Sequence, residues 1–330
     1  MVTGSLSGHP RRRILNLIER SFRVEGTEGL GPLPRAGLIA PLLSNLQESL
    51  RDSVRMGFLH SSRARGRVPT ALKAAAELRF LGHEGQGDDV TVLHFKVPSF
   101  ADAAPKLFRQ QRLWDDGPKP EETAFELFGA ALNAVASCRA DSDAFDRDLL
   151  RRIGSYRTLL KRGIGQIAMP DALPGRRGQI DAAVVAAADD LIAATPRSRR
   201  VRIAGRLDVM AVSQSVIKLE VGPNLFATAR WEGEEPIDKF KDFINRDVVI
   251  EGLGVFRPSG ALLRVDADAL APESPADSFF RTLPTAAAAR DYHKLARLKP
   301  GEPSVYAQIL GSIPAEESDE EFEAALANLR

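Results

Sequence analysis

Five histidines, His9, His60, His83, His94 and His293, are spread over the 330-residue chain, and Cys138 is its only cysteine. Neither set has the spacing of a zinc site or of a Cys–His nucleophile pair. His83 and His94 flank a glycine-rich turn, but no third ligand lies near them in sequence, so polar strand positions are the simpler expectation for both. Asp115–Asp116 and Asp189–Asp190 are adjacent pairs, and adjacent residues on a helix do not face one point. A P-loop, a nucleophile elbow, an HExxH pair and a dinucleotide fingerprint are all missing from the sequence. No catalytic residue, metal ligand or cofactor is therefore expected. An enzyme with a site assembled from distant residues of the N-terminal domain stands as an alternative.

Binding chemistry is easier to find. Between 200 and 270 the sequence carries Arg202, Arg206, Lys218, Arg230, Arg257 and Arg264, interleaved with Phe226, Trp231 and Phe256. Cations and aromatics on one surface are what single-stranded nucleic acid requires, for its phosphates and its bases. Asp208, Glu220, Glu232, Glu234, Glu235, Asp266 and Asp268 share the same stretch and oppose a strong backbone grip.

A second binding signal closes the chain. Ser318 with Glu321 three residues on forms a capping box, and Asp319, Glu320 and Glu321 sit where a helix dipole favours negative charge. Phe322, Leu326 and Leu329 follow at helical spacing as one narrow apolar stripe. So short a helix gains stability by laying its stripe in a groove. The lead expectation is thus a non-catalytic binding or regulatory protein that captures a partner through Phe322, Leu326, Leu329, Glu320 and Glu321. The partner is its own body, a second subunit or another protein; binding of single-stranded nucleic acid through the middle segment is the alternative.

The chain has 45 basic and 44 acidic residues, 44% hydrophobic and 27% charged residues, which excludes a wholly disordered chain or an all-over basic coat. The balance hides a gradient, with a surplus of 6 positive charges over 1–170 and of 4 negative charges over 273–330. No run of 18 apolar residues is present, and Asn16, Glu19 and Arg20 interrupt the apolar stretch after Arg11–Arg13, so neither a spanning helix nor a signal peptide is expected and the cytoplasm is the expected location.

The periodicities divide the chain into five parts: a flexible arm over 1–30, an α+β domain over 31–170, a connector with a helix over 171–196, a small barrel over 197–271 and a helical, acidic tail over 272–330. In the second part Ile39, Leu43, Leu46, Leu50, Val54 and Phe58 predict one long helix, and Phe125, Phe128, Leu132 and Val135 another. Thr91, Leu93, Phe95 and Val97 alternate as a strand facing a core, and Cys138 is expected to be a small buried residue. From 201 to 267 the text predicts three strands, a short helix around Ile237, Phe240 and Ile244, and two more strands. That is the order of the OB fold, a five-stranded barrel, with Gly205, Gly252 and Gly254 placed where strands bend or crowd.

Arg206-Leu-Asp-Val209 and Gly254-Val-Phe-Arg-Pro-Ser-Gly-Ala-Leu-Leu-Arg-Val-Asp-Ala267 resemble the barrel of an uncharacterised family of multi-domain bacterial proteins. Asp89-Val-Thr-Val-Leu-His-Phe-Lys-Val-Pro98 and Ala101-Asp-Ala-Ala-Pro105 are similar to a segment of the same sort of protein. The close, Ile309-Leu-Gly-Ser-Ile-Pro-Ala-Glu-Glu-Ser-Asp-Glu-Glu-Phe-Glu-Ala-Ala-Leu326, resembles the acidic helical segment of small bacterial antitoxin-like proteins, with Ala315 where the family form usually has glycine. That resemblance implies a toxin-like ribonuclease of the PIN type as the partner.

Overall fold

Phe22 and Val24 are fully buried, two residues apart, in a strand where they alternate with Ser21, Arg23 and Glu25. This strand is the middle of a five-stranded sheet in the computed structural model, which describes residues 17–286 except 28, 64–67, 106–107 and 109–116. The first module contains, in chain order, β1 (Leu17–Gly26), α1 (Ala36–Leu59), α2 (Thr70–Ala75), β2 (Arg79–Gly85), β3 (Val90–Pro98), α3 (Phe100–Ala103), α4 (Ala124–Ala136), α5 (Arg147–Ser155), α6 (Arg157–Leu160), β4 (Ile164–Ala168), β5 (Gln179–Ile180) and α7 (Ala182–Ala194). The sheet order is β2-β3-β1-β4-β5, with every neighbouring pair antiparallel.

Phe22 meets Phe125 of α4 with ring centroids 4.6 Å apart and Phe95 of β3 at 5.8 Å, so sheet and helices share one core. The long helix forms as the period predicts, although in its first turns Leu38 and Leu42 are the buried residues and Ile39 and Leu43 lie at the edge. Helix α4 begins at a complete capping box, Thr123 with Glu126, and all four residues of its expected stripe are buried. Glu126 is itself buried and takes two hydrogen bonds from the Arg20 guanidinium of β1.

Two expected boundaries need correction. The segment 1–30, read as a flexible arm, holds the central strand from Leu17 onward; of the arginines that gave it a polar look, Arg20 reaches the buried Glu126, while Arg23 pairs with Glu25 at the surface. The segment 171–196, read as a connector, contributes Ile180, Val184, Val185, Ala188 and Leu191 to the first core. Cys138 also departs from expectation. It is exposed, in the left-handed region at φ 47°, one residue past the cap of α4. There the chain must reverse, and the position favours a residue at the turn rather than one in the core.

The second module is a closed barrel of β6 (Arg199–Ala211), β7 (Val216–Gly222), β8 (Leu225–Trp231), β9 (Asp247–Phe256) and β10 (Leu262–Pro272). Neighbours run β10-β8-β7-β6-β9, and β9 pairs with β10 to close the ring; only β8 with β10 is parallel. This is the OB-like architecture expected. Ile203, Leu207, Ile217, Leu219, Ile250 and Val265 fill the interior. The helix between the third and fourth strands is a 3₁₀ helix, Ile237–Phe243, which sets Ile237 and Phe240 against that interior. At Gly205 an added Cβ would meet the Glu220 carbonyl oxygen at 2.7 Å, so β6 and β7 approach there as only glycine permits. Of the tail from 272, the described part is a 3₁₀ turn, Pro275–Phe280, capped by Ser274 and Asp277. The segment expected to form an acidic helix, with Glu320, Glu321, Phe322, Leu326 and Leu329, lies outside the described residues, as do Asp115 and Asp116.

Candidate binding cleft

The outer faces of β7 and β8, the second and third strands of the barrel, look toward α1 and α4 of the first module. Register sets Lys218 opposite Thr228 and Glu220 opposite Phe226, so Lys218, Thr228 and Phe226 project from the same side of the ladder. Lys218 Nζ stands 5.8 Å from the centroid of the Phe226 ring, and Phe226 is exposed. A cleft of about 400 Å³ lies between this face and α1. Ser53, Met56, Gly57 and His60 line it from one side of α1, at positions i, i+3, i+4 and i+7. Leu127 and Ala130 of α4 contribute from below, and Arg257, Leu262 and Leu283 from the end of the barrel.

The rim is charged in pairs. Arg257 Nε donates to Asp143 at 2.8 Å, and its Nη1 donates to the Leu262 carbonyl at 2.5 Å. Arg176 is 3.1 Å from the buried Glu122. His60 caps the end of α1 in the left-handed region, φ 52°. Desolvation lowers its pKa to about 4; Asp143 nearby opposes this, while Lys218, Arg264 and Arg257 reinforce it. The ring is therefore neutral near pH 7. Ser53 Oγ is buried and has no hydrogen-bond partner among the described residues.

The residues expected to bind nucleic acid separate into three groups. Lys218 lines the cleft, and Arg206 is exposed on β6 between the register positions of Glu220 and Asp247. Arg230, Arg257 and Arg264 join the barrel to the first module, and Arg257 lines the cleft as well. Arg230 pairs with Glu232 at 3.3 Å and donates to the Arg63 carbonyl, Arg257 holds Asp143, and Arg264 reaches both Asp146 and the His60 carbonyl. Arg202 lies between Glu251 at 3.3 Å and Asp277 at 2.7 Å, over the Phe280 ring. The Asp277 carboxyl is held below its ordinary pKa by hydrogen bonds from Ser274 and by the Arg202 charge.

Trp231 is corrected from platform to core: it is buried against Phe240, and its Nε1 donates to the Glu235 carbonyl. Phe256 is buried as well, leaving Phe226 as the exposed ring of the three aromatics. His60, Ser53 and Arg176 of the cleft were not singled out from sequence, because they sit on elements far from the barrel. The histidines His83 and His94 lie on neighbouring strands, with His94 3.9 Å from both Glu19 and Glu84. No group of three or more potential ligands among the described residues is placed to hold a metal ion, and no described helix is long and apolar enough to cross a membrane.

No family model, no curated protein and no solved structure matches the chain.

Proposed function

We propose that the protein is a non-catalytic binding protein that holds single-stranded nucleic acid along the β7–β8 face of its barrel. The observation that carries the reading is the pairing of Lys218 with the exposed ring of Phe226 on the second and third strands. In an OB-like barrel that face and its adjoining loops are where oligonucleotides bind, a ring stacking on a base while a cation meets the phosphate. The arginines engaged in ion pairs contribute little to such a grip, so the binding is modest in charge and leans on stacking.

The test is fluorescence anisotropy with labelled single-stranded DNA and RNA of mixed sequence, at two salt concentrations. Binding that weakens with salt and is weakened again by Phe226→Ala supports the reading. No binding to either strand at low salt removes it. Capture of a protein partner by the acidic C-terminal segment is a separate proposal, tested by pull-down with the full chain and with a form ending at Pro314.

A further inference from the structure

The cleft between the β7–β8 face and α1 has the size and the chemistry of one nucleotide. We propose that it binds a single nucleoside phosphate, with the phosphate among His60, Lys218 and Arg257 and the base against Phe226 and Leu283. The unit is the end of a bound strand or a free mononucleotide; the first of these rests on the strand-binding reading, the second does not.

Size is the first argument. About 400 Å³ is at the small end of ligand pockets, which run to roughly 300–1,000 Å³, and suits one nucleotide unit within the cleft. The second is the Ser53 hydroxyl. It is 2% exposed on the α1 wall and has no hydrogen-bond partner among the described residues. A buried hydroxyl left this way carries a desolvation cost that a polar ligand atom relieves, by donating to it or accepting from it. The third is charge. Lys218, Arg257 and Arg176 face the cleft against two carboxylates, Asp143 and Glu122. Asp143, the partner of Arg257, is mostly exposed at 67% of its side chain, so water replaces the arginine cheaply when a phosphate takes its place.

His60 adds a signature. The charged groups around its ring are Asp143 from the loop before α5, Lys218 from β7, Arg257 from the β9–β10 turn and Arg264 from β10. Three cations and burial keep the ring neutral, and a phosphate among them reverses that field. Binding then raises the proton affinity of His60, so the parent takes up more proton on binding than His60→Gln does.

The experiment is calorimetric titration of the full chain with AMP, CMP, GMP and UMP, with inorganic phosphate as the comparison, in two buffers of different ionisation enthalpy. In parallel, labelled oligonucleotides ending in a phosphate or a hydroxyl at either terminus are titrated by anisotropy. The expected result is a mononucleotide, or a terminal phosphate, that gains about tenfold over its comparison, with proton uptake that is smaller in His60→Gln. Ala130→Phe, which fills the cleft from α4, removes the gain; Thr228→Phe does the same from the barrel side should the first variant not fold. Mononucleotides that bind no better than inorganic phosphate, together with strands indifferent to their termini, overturn the pocket even where strand binding itself is strong. Mononucleotide binding without any strand binding keeps the pocket and removes the strand reading. A gain that survives both filled-cleft variants places the nucleotide elsewhere and also overturns it.

Discussion

Arg264 of β10 and Asp146, the N-cap of α5, form an ion pair at 3.3 Å with both side chains more than nine-tenths buried. The Asp146 carboxylate also accepts from the backbone N–H and hydroxyl of Ser62 and from the N–H of Leu149. Arg264 donates to the His60 carbonyl and to Asp266. One carboxylate thus starts a helix, fixes the segment after α1 and holds the barrel.

Removing one member leaves the other charged and enclosed. Arg264→Ala is expected to cost about 3–5 kcal/mol in urea unfolding. The double variant Arg264→Met with Asp146→Ser, which keeps a capping oxygen at the helix start, recovers most of that loss. An equal loss in single and double variants would mean that the pair does not couple the modules.

On the β7–β8 face, Phe226→Ala is expected to weaken single-strand binding by about 1–3 kcal/mol, the worth of one stacked base, without changing the melting temperature. Lys218→Ala lowers the salt slope by about one phosphate. Trp231→Ala behaves differently. It opens the barrel core and lowers stability by about 3–5 kcal/mol, read by thermal unfolding before any binding assay.

The barrel was legible from sequence because its strands follow one another and each shows its own alternation, as in Ile203, Gly205 and Leu207 of β6. The central strand of the first sheet was not. In β1 the buried set is only Ser21, Phe22 and Val24, and its partners lie far along the chain, so pattern and proximity both failed. The site was half legible. Lys218 and Phe226 sit in the barrel and announce its chemistry, whereas Arg230, Arg257 and Arg264 looked the same in sequence and turned out to meet carboxylates or carbonyls of the first module. A positive residue on a strand does not reveal whether water or another module lies over it.

His60 also carries a pH dependence of stability. Its folded pKa, near 4, is below the ordinary histidine value of 6.5. The folded form therefore binds fewer protons than the unfolded chain between those limits. Its contribution is fully present above about pH 6.5 and is lost as the pH falls toward 4, a change of about 3 kcal/mol. Urea midpoints across that range should flatten in His60→Gln relative to the parent, after the common loss from carboxylates is subtracted.

Gly252 of β9 faces the bulge of β10 between Ala267 and Ala269, and an added Cβ there would lie 2.6 Å from the Ala267 Cα. Gly252→Ala forces two backbones apart and is expected to cost about 1–3 kcal/mol, with the near-ultraviolet spectrum of the barrel altered. Gly37→Ala, in α1 with nothing within 4 Å, serves as the control and leaves stability equal or slightly higher.

Cys138 offers a check on the end of α4. Native protein should react with a maleimide to one equivalent within minutes, since the thiol is exposed. Cys138→Gly relieves the left-handed backbone at that position and raises stability by up to about 1 kcal/mol in thermal unfolding.

Arg23 of β1 lies opposite Ala168 of β4, and β4 in turn pairs with β5, just ahead of α7. The first sheet therefore cannot close until nearly the whole first module has been made, while every ladder of the barrel joins strands between Arg199 and Pro272. Long-separated pairings form slowly because their loop entropy comes first. During synthesis β1 first meets β3 and α4, which give Phe22 its partners Phe95 and Phe125, while its other edge stays open until β4 is made, and the module completes as the first barrel strand begins. Arg264, which reaches Asp146 from β10, arrives with the last strand of the barrel. Its ion pair is a signal that both halves have finished, and a chain halted before it leaves the barrel without its last strand.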